Sequence, residues 1–188
     1  MTYRDAMSTS ELQDRKLDRV FDQLDVNRDG VVDREDLAGL GARFLIGFGE
    51  PPTSAPGRAL LEAFDQVWAA LMSRLDLDAE SRVTRDQFRR GMAEAFITGP
   101  DYEPVLRPVA QAVARICDAD ADGLIDPVAF RTMQTAYGTP EGDIVTAFGA
   151  LDADGDGMVT VVELERAARE FYTGDDPAAG GNWLFGRI

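Results

Sequence analysis

Asp152 to Glu163 reads DADGDGMVTVVE, twelve residues with an oxygen-bearing side chain at positions 1, 3, 5, 9 and 12 and glycine at position 6. A hard divalent cation takes six to eight oxygens at about 2.3–2.6 Å, and a chain with this spacing wraps once around such an ion. Asp152, Asp154 and Asp156 supply carboxylates, and Gly157 supplies the sharp turn with positive φ. Met158 offers its backbone carbonyl, Thr160 acts through water, and Glu163 closes the shell with two oxygens. The stretch predicts a Ca²⁺ loop.

A single helix–loop–helix unit cannot bury its apolar face, so a loop of this kind implies repeats. Three more are present: Asp25 to Asp36 (DVNRDGVVDRED), Asp76 to Gln87 (DLDAESRVTRDQ) and Asp118 to Ala129 (DADADGLIDPVA). Their shared signature is apolar. Position 8, whose backbone bridges paired loops, is Val32, Val83, Ile125 and Val159, and position 13, the first core residue of each exiting helix, is Leu37, Phe88, Phe130 and Leu164. The chain thus reads as four EF-hands, an all-α fold in two pairs packed into one globule, with short β-bridges between paired loops.

Ligand positions differ among the four. The first loop offers Asp25, Asn27, Asp29, the carbonyl of Val31, Asp33 and Asp36. Aspartate at position 12 is one methylene shorter than glutamate, which favours six-coordination and admits Mg²⁺ beside Ca²⁺. The third loop keeps Asp118, Asp120, Asp122, the carbonyl of Leu124 and Asp126 but ends in Ala129, losing two oxygens and one charge. The second retains Asp76, Asp78 and Glu80, yet has Ser81 at the turn and neutral Gln87 at the end, and reads as a structural hand that only pairs with the first. Two to three Ca²⁺ ions are expected.

Composition narrows the function classes. At 188 residues and 45% hydrophobic the chain can bury a substantial core. Its net charge of −15, concentrated in the loops, argues against nucleic acid or anionic membrane as partners. With no histidine, Ser-His and Cys-His nucleophile pairs and the commonest zinc ligand are unavailable, so no enzyme is expected. The sole cysteine, Cys117, ends the apolar face of Val109, Val113 and Ile116 and reads as a packed core thiol. No stretch is long and apolar enough to span a membrane, and the opening MTYRDAMSTS lacks the apolar region of a signal peptide, so a cytoplasmic monomer is expected. Arginine supplies eighteen of the nineteen basic residues, a bias that suggests a GC-rich bacterial genome.

Helical periodicity and turn signals place the boundaries. Ser8 and Glu11 suggest a capping box before a helix carrying Leu17, Val20, Phe21 and Leu24. Gly47 to Pro52 breaks the chain before a helix with Leu61, Phe64, Trp68, Leu71 and Leu75. Thr98-Gly99-Pro100-Asp101 stops the helix of Phe88, Met92 and Phe96, which rules out a long central helix, and Thr139 with Pro140 suggests a cap for the last hand. The domains expected are an N-terminal pair over 1–98, a C-terminal pair over 99–174 and a tail over 175–188.

Four hands, an eroded second loop and a closing segment from Phe171-Tyr172-Thr173-Gly174-Asp175-Asp176-Pro177 to Gly181-Asn182-Trp183-Leu184-Phe185-Gly186 resemble the sarcoplasmic calcium-binding proteins and their bacterial calerythrin-like relatives. The resemblance covers nearly the whole chain. It implies two EF-hand pairs packed on each other and a second hand that binds nothing. Two roles follow: a Ca²⁺ buffer with a closed core, or a sensor that exposes an apolar surface to a protein target. Only Met72, Met92 and Met133 lie on helices, too few for an adaptable groove, which favours the buffer. The apolar run Trp183-Leu184-Phe185 is suited to plug such a groove.

Overall fold

Among the described residues, apolar positions recurring at helical spacing produce eight α-helices, two around each loop. In the computed structural model, which describes residues 10–188, α1 (Glu11–Leu24) and α2 (Arg34–Phe48) flank the first loop. The second lies between α3 (Ala55–Leu75) and α4 (Arg85–Met92), the third between α5 (Arg107–Cys117) and α6 (Pro127–Tyr137), and the fourth between α7 (Glu141–Leu151) and α8 (Val161–Thr173). Each loop contributes a two-residue strand: β1 (Val31–Val32), β2 (Val83–Thr84), β3 (Leu124–Ile125) and β4 (Val159–Thr160). The strands pair antiparallel, β1 with β2 and β3 with β4, so that Val32 faces Val83 and Ile125 faces Val159. All four position-8 residues are fully buried. The fold is the expected all-α arrangement of four hands in two bridged pairs.

Two helix starts differ from the sequence reading. Ser8 lies outside the described residues, and α1 is capped by Ser10, which accepts from the Gln13 amide while Gln13 accepts from the Ser10 amide. Glu11 is therefore the first helical residue and cannot be the third member of a box. Likewise Pro140 precedes α7 without a side-chain cap, because the Thr139 hydroxyl donates to Gln134 Oε1 at 2.6 Å. A buried amide needing a partner outcompetes a solvent-facing helix end.

The break after α4 is present. The helix widens into a π turn over Ala93–Ile97, and a second π turn over Tyr102–Leu106 leads into α5. At Gly99 a β-carbon would sit 2.0 Å from the Glu94 carbonyl oxygen, so only glycine allows the chain to fold back there. Pro100, lacking an amide donor, then prevents the helix from resuming.

One apolar core runs through both pairs, with α3 packed on α5 and α2 on α6. Leu17, Phe21, Leu37, Phe64, Trp68, Phe88, Phe96, Val113 and Ile116 are buried as expected, and Phe44 joins them. Val20, Leu61, Val109 and Phe148 are only half-buried, and Leu60 is fully enclosed in place of its neighbour Leu61. The 21-residue α3 is buried on a broader face than a single helical stripe. Cys117 is buried, and desolvation pushes its thiol up to about 12. The tail joins this core. After a 3-10 turn over Gly180–Trp183, Phe185 meets Tyr137 edge-to-face at 4.7 Å and Phe171 at 4.8 Å, while Tyr137 meets Phe44 of α2 at 5.1 Å.

Candidate metal centres

The first, third and fourth loops share one backbone. Position 6 is left-handed in each, at Gly30 (φ 82°), Gly123 (87°) and Gly157 (87°), and so is position 4, at Arg28 (57°), Ala121 (61°) and Gly155 (73°). The conformation is held by the aspartate at position 1. Asp25, Asp118 and Asp152 each accept from the position-5 amide through one oxygen and, at 3.0 Å, from the position-6 amide through the other. The aspartate at position 5 then accepts from the position-7 amide, at 3.1, 2.8 and 2.9 Å for Asp29, Asp122 and Asp156. Three carboxylates, or two and an amide in the first loop, are thereby turned inward on one arc.

The donor set fits a hard divalent cation. Carboxylate oxygens of Asp118, Asp120 and Asp122 lie within 4.8 Å of one another, and so do those of Asp152, Asp154 and Asp156. In the first loop Asn27 holds the middle position, donating to Asp29 Oδ2 at 3.2 Å. Asp36 is raised above its ordinary value, chiefly by desolvation; the Asp33 amide opposes this, while the charges of Asp33, Asp29 and Asp25 add to it. Like charges crowded in this way are relieved by a bound cation.

Position 9 has a second task in every hand. Asp33, Thr84, Asp126 and Thr160 cap the helices that leave the loops. In the first and third loops one carboxylate oxygen is committed to the cap: Asp33 Oδ1 accepts from Glu35 and Asp36, and Asp126 Oδ1 from Val128 and Ala129. Glu163 closes the fourth loop. Its Oε1 accepts from the Ala153 amide at the loop's start, and its Oε2 accepts from the amide and hydroxyl of Thr160. Desolvation pushes this carboxyl up, but the donors on Thr160 and Ala153 outweigh it and hold the group below its ordinary value.

The second loop departs from the other three. Ser81 is not among the described residues with positive φ; instead Asp76, at position 1, takes the left-handed conformation as the C-cap of α3. The strain of a β-carbon at the turn is avoided by a different path, in which the Asp78 side chain accepts from the Glu80 amide and the Ser81 hydroxyl. A further residue of this loop is drawn into the neighbouring hand. Arg82 pairs through Nη2 with Asp29 Oδ2 and lies 3.5 Å through Nε from Asp33 Oδ2. Although partial desolvation acts to raise it, the Val31 amide and the Arg82 guanidinium hold the Asp29 carboxyl below its usual value. The linear sequence carries this contact only as a register: with Val32 facing Val83, Arg82 is the cross-strand neighbour of Asp33.

Paired loops bridged by short strands and lined with inward carboxylates define a calcium-binding helix–loop–helix protein. The EF hand family profile matches residues 17–40 and 144–168, the first and fourth hands. Calerythrin of Saccharopolyspora erythraea is 28% identical over 170 residues, 89% of this chain and 96% of that protein. A solved Streptomyces coelicolor calcium-binding protein, presented as the structural basis for prokaryotic calcium-mediated regulation, is 30% identical over 87% of this chain and 99% of its own, with a TM-score of 0.73. A sarcoplasmic calcium-binding protein from amphioxus shares the fold at 16% identity and a TM-score of 0.70, covering 96% of this chain and all of its own. The chain belongs to the EF-hand superfamily and is similar over most of its length to calerythrin. The Streptomyces relative is described as a calcium-binding protein, and the acidic loops of this chain present ligands suited to the same ion. No helix among the described residues is long and apolar enough to cross a membrane.

Proposed function

We propose that this protein is a cytoplasmic calcium buffer or reservoir that takes up two to three ions. The fourth loop holds one through Asp152, Asp154, Asp156, the Met158 carbonyl, Thr160 and Glu163. The first holds another through Asp25, Asn27, Asp29, the Val31 carbonyl, Asp33 and Asp36, and accepts Mg²⁺ as well because Asp36 is short. The third loop adds Asp118, Asp120, Asp122, the Leu124 carbonyl and Asp126, and its fourth-loop-like backbone supports filling despite Ala129. The ion's role is electrostatic: it neutralises carboxylates that otherwise repel one another, and it orders the loops.

The observation that carries the buffer reading is the sealed core. Leu184 and Phe185 are buried, and their carbonyls are tied to helices of both halves. Arg19 and Gln23 of α1 donate to the Phe185 carbonyl at 2.8 and 3.2 Å, and Gln134 of α6 donates to that of Leu184 at 2.9 Å. Met72, Met92 and Met133 are all buried, and three methionines are few for an adaptable groove. The apolar cavity left between the helices is about 80 Å³, lined in part by Tyr137, Leu184 and Phe185. That is smaller than the roughly 150 Å³ that accommodates benzene in a protein core, which weighs against a chromophore-binding role. We divide the chain at the Thr98–Asp101 break into pairs over 1–98 and 99–174, with 175–188 as a separate sealing tail, and treat it as a monomer.

The competing reading is a sensor with a protein target, favoured by the Streptomyces relative's association with calcium-mediated regulation. Fluorescence of an apolar-surface dye separates the two. For a buffer, saturating Ca²⁺ leaves the full chain's dye signal within about twofold of that in chelator, while Phe185→Ala, which unseats the tail, raises the signal in both conditions. A large calcium-dependent rise in the unaltered chain establishes the sensor instead, because opening an EF-hand pair exposes an apolar groove of several hundred Å², roughly.

A further inference from the structure

The second hand has lost its own ligand geometry, yet it places a cation on its neighbour's. In an antiparallel bridge of paired loops, the position-7 residue of one loop faces the position-9 residue of the other. In the C-terminal pair Leu124 faces Thr160, and in the N-terminal pair Val31 faces Thr84; continuing each register by one residue lays Met158 beside Asp126 and Arg82 beside Asp33. Three of the four position-7 residues are apolar; the fourth is Arg82, facing Asp33.

Its guanidinium engages Asp29 Oδ2 and approaches Asp33 Oδ2. Asp33 Oδ1 is already committed to the cap of α2, so the oxygen that Arg82 approaches is the one left for an ion. On Asp29, Oδ1 is occupied by the Val31 amide, and Arg82 again takes the other oxygen. The arginine therefore lies against one oxygen each of the first loop's ligands at positions 5 and 9, sharing Asp29 Oδ2 with the Asn27 amide. We propose that Arg82 is an internal counter-ion that a divalent cation must displace, so that the degenerate second hand sets the calcium threshold of the first. This rests on the reading of the first loop as a metal site.

The geometry makes the effect moderate. Arg82 is about half exposed, at 53% of its side-chain surface, and Asp29 and Asp33 are 36% and 30% exposed, so the pairs are screened and the arginine is free to swing into solvent. It also gives the site a dependence on salt, since exposed pairs weaken as ionic strength rises. Among the described residues the fourth site has no such counter-ion: its facing residue on β3 is Leu124.

The test follows the Gly30 amide, bonded at 3.0 Å to Asp25 Oδ2, by NMR during calcium titration of the full chain. In Arg82→Gln its half-shift should fall at about three- to tenfold lower free calcium, the range expected for removing two partly exposed ion pairs and a repelling charge. Arg82→Lys, which keeps the charge, should stay within about twofold of the parent, an outcome that loss of packing alone does not give. In chelator, Arg82→Gln should also melt slightly below the parent and show the larger calcium-induced rise. Equal midpoints in the parent and Arg82→Gln overturn the counter-ion role while leaving the first site standing. A Gly30 amide that moves in none of the three proteins overturns both readings.

Discussion

Glu163 carries two tasks that a neutral side chain cannot combine. One oxygen receives the Ala153 amide, which ties the end of the fourth loop to its beginning, and the other receives the Thr160 amide and hydroxyl, which cap α8. Glutamine at this position replaces one acceptor with a donor facing other donors and removes a charge from the ligand set. Glu163→Gln should therefore abolish calcium at the fourth loop, seen in calorimetry as one ion fewer. It should also cut the calcium-induced gain in unfolding free energy by about 2.7 kcal/mol at a hundredfold excess over Kd. Unchanged stoichiometry overturns the assignment. Cys117, by contrast, matters only through packing, since burial deprives it of thiolate character.

At the scale of an element, the third loop already has the path of a complete one. Its left-handed residues Ala121 and Gly123 and the bonds from Asp118 match those of the fourth loop, so Ala129 is the missing part rather than a symptom of a collapsed loop. Ala129 is also the third residue of α6, where its amide donates to the capping Asp126 at 2.7 Å. Glutamate there can return a hydrogen bond to the Asp126 amide and complete a capping box. Ala129→Glu should tighten calcium at this loop by at least about tenfold, since it restores two oxygens and a charge. It should add roughly 0.5 kcal/mol of stability even in chelator. Titration calorimetry and urea unfolding read the two effects separately, and no change in calcium affinity refutes the equivalence of the two loops.

Over the whole molecule, the ends of the chain hold the two halves together. The sole lysine, Lys16 on α1, is buried and donates from Nζ to the carbonyls of Glu170 and Gly174 at 3.1 and 2.9 Å, closing the C-terminal end of α8 over the Phe171 ring. Lys16→Met fills similar space but orphans the Gly174 carbonyl and leaves that of Glu170 with the Gly174 amide as its remaining donor, and should lower unfolding free energy by about 1–3 kcal/mol with calcium stoichiometry unchanged. An unaltered urea midpoint means the cap contributes nothing. The same residue predicts a pH signature. Desolvation, ahead of the opposing charges of Asp175, Glu170 and Asp176, lowers its pKa from 10.5. The folded chain thus sheds this proton before the unfolded chain does, and this group's contribution to stability rises as pH climbs toward 10.5. The stability difference between parent and Lys16→Met should grow in that alkaline range, and a flat or shrinking difference excludes the linkage.

What the sequence determined by itself was local and periodic. Twelve-residue spacing of aspartates fixes where ligand oxygens can converge, glycine at position 6 fixes the turn, and apolar residues at positions 8 and 13 fix the bridges and the core face, because each depends on backbone geometry within a few residues. The four hands, the helix break at Gly99-Pro100 and the anomalous second loop were all legible in that way. Local cap signals were less reliable: Thr139 turned from the helix end to Gln134 once burial supplied a more demanding partner. The tertiary structure alone decided contacts between distant segments. Arg82 meets Asp29 and Asp33 only because strand register lays one loop beside another, and Phe185 becomes core only because Tyr137 and Phe171 converge from separate helices. Such pairings depend on how helix faces pack across the molecule, a property of the assembled core that no run of a dozen residues encodes.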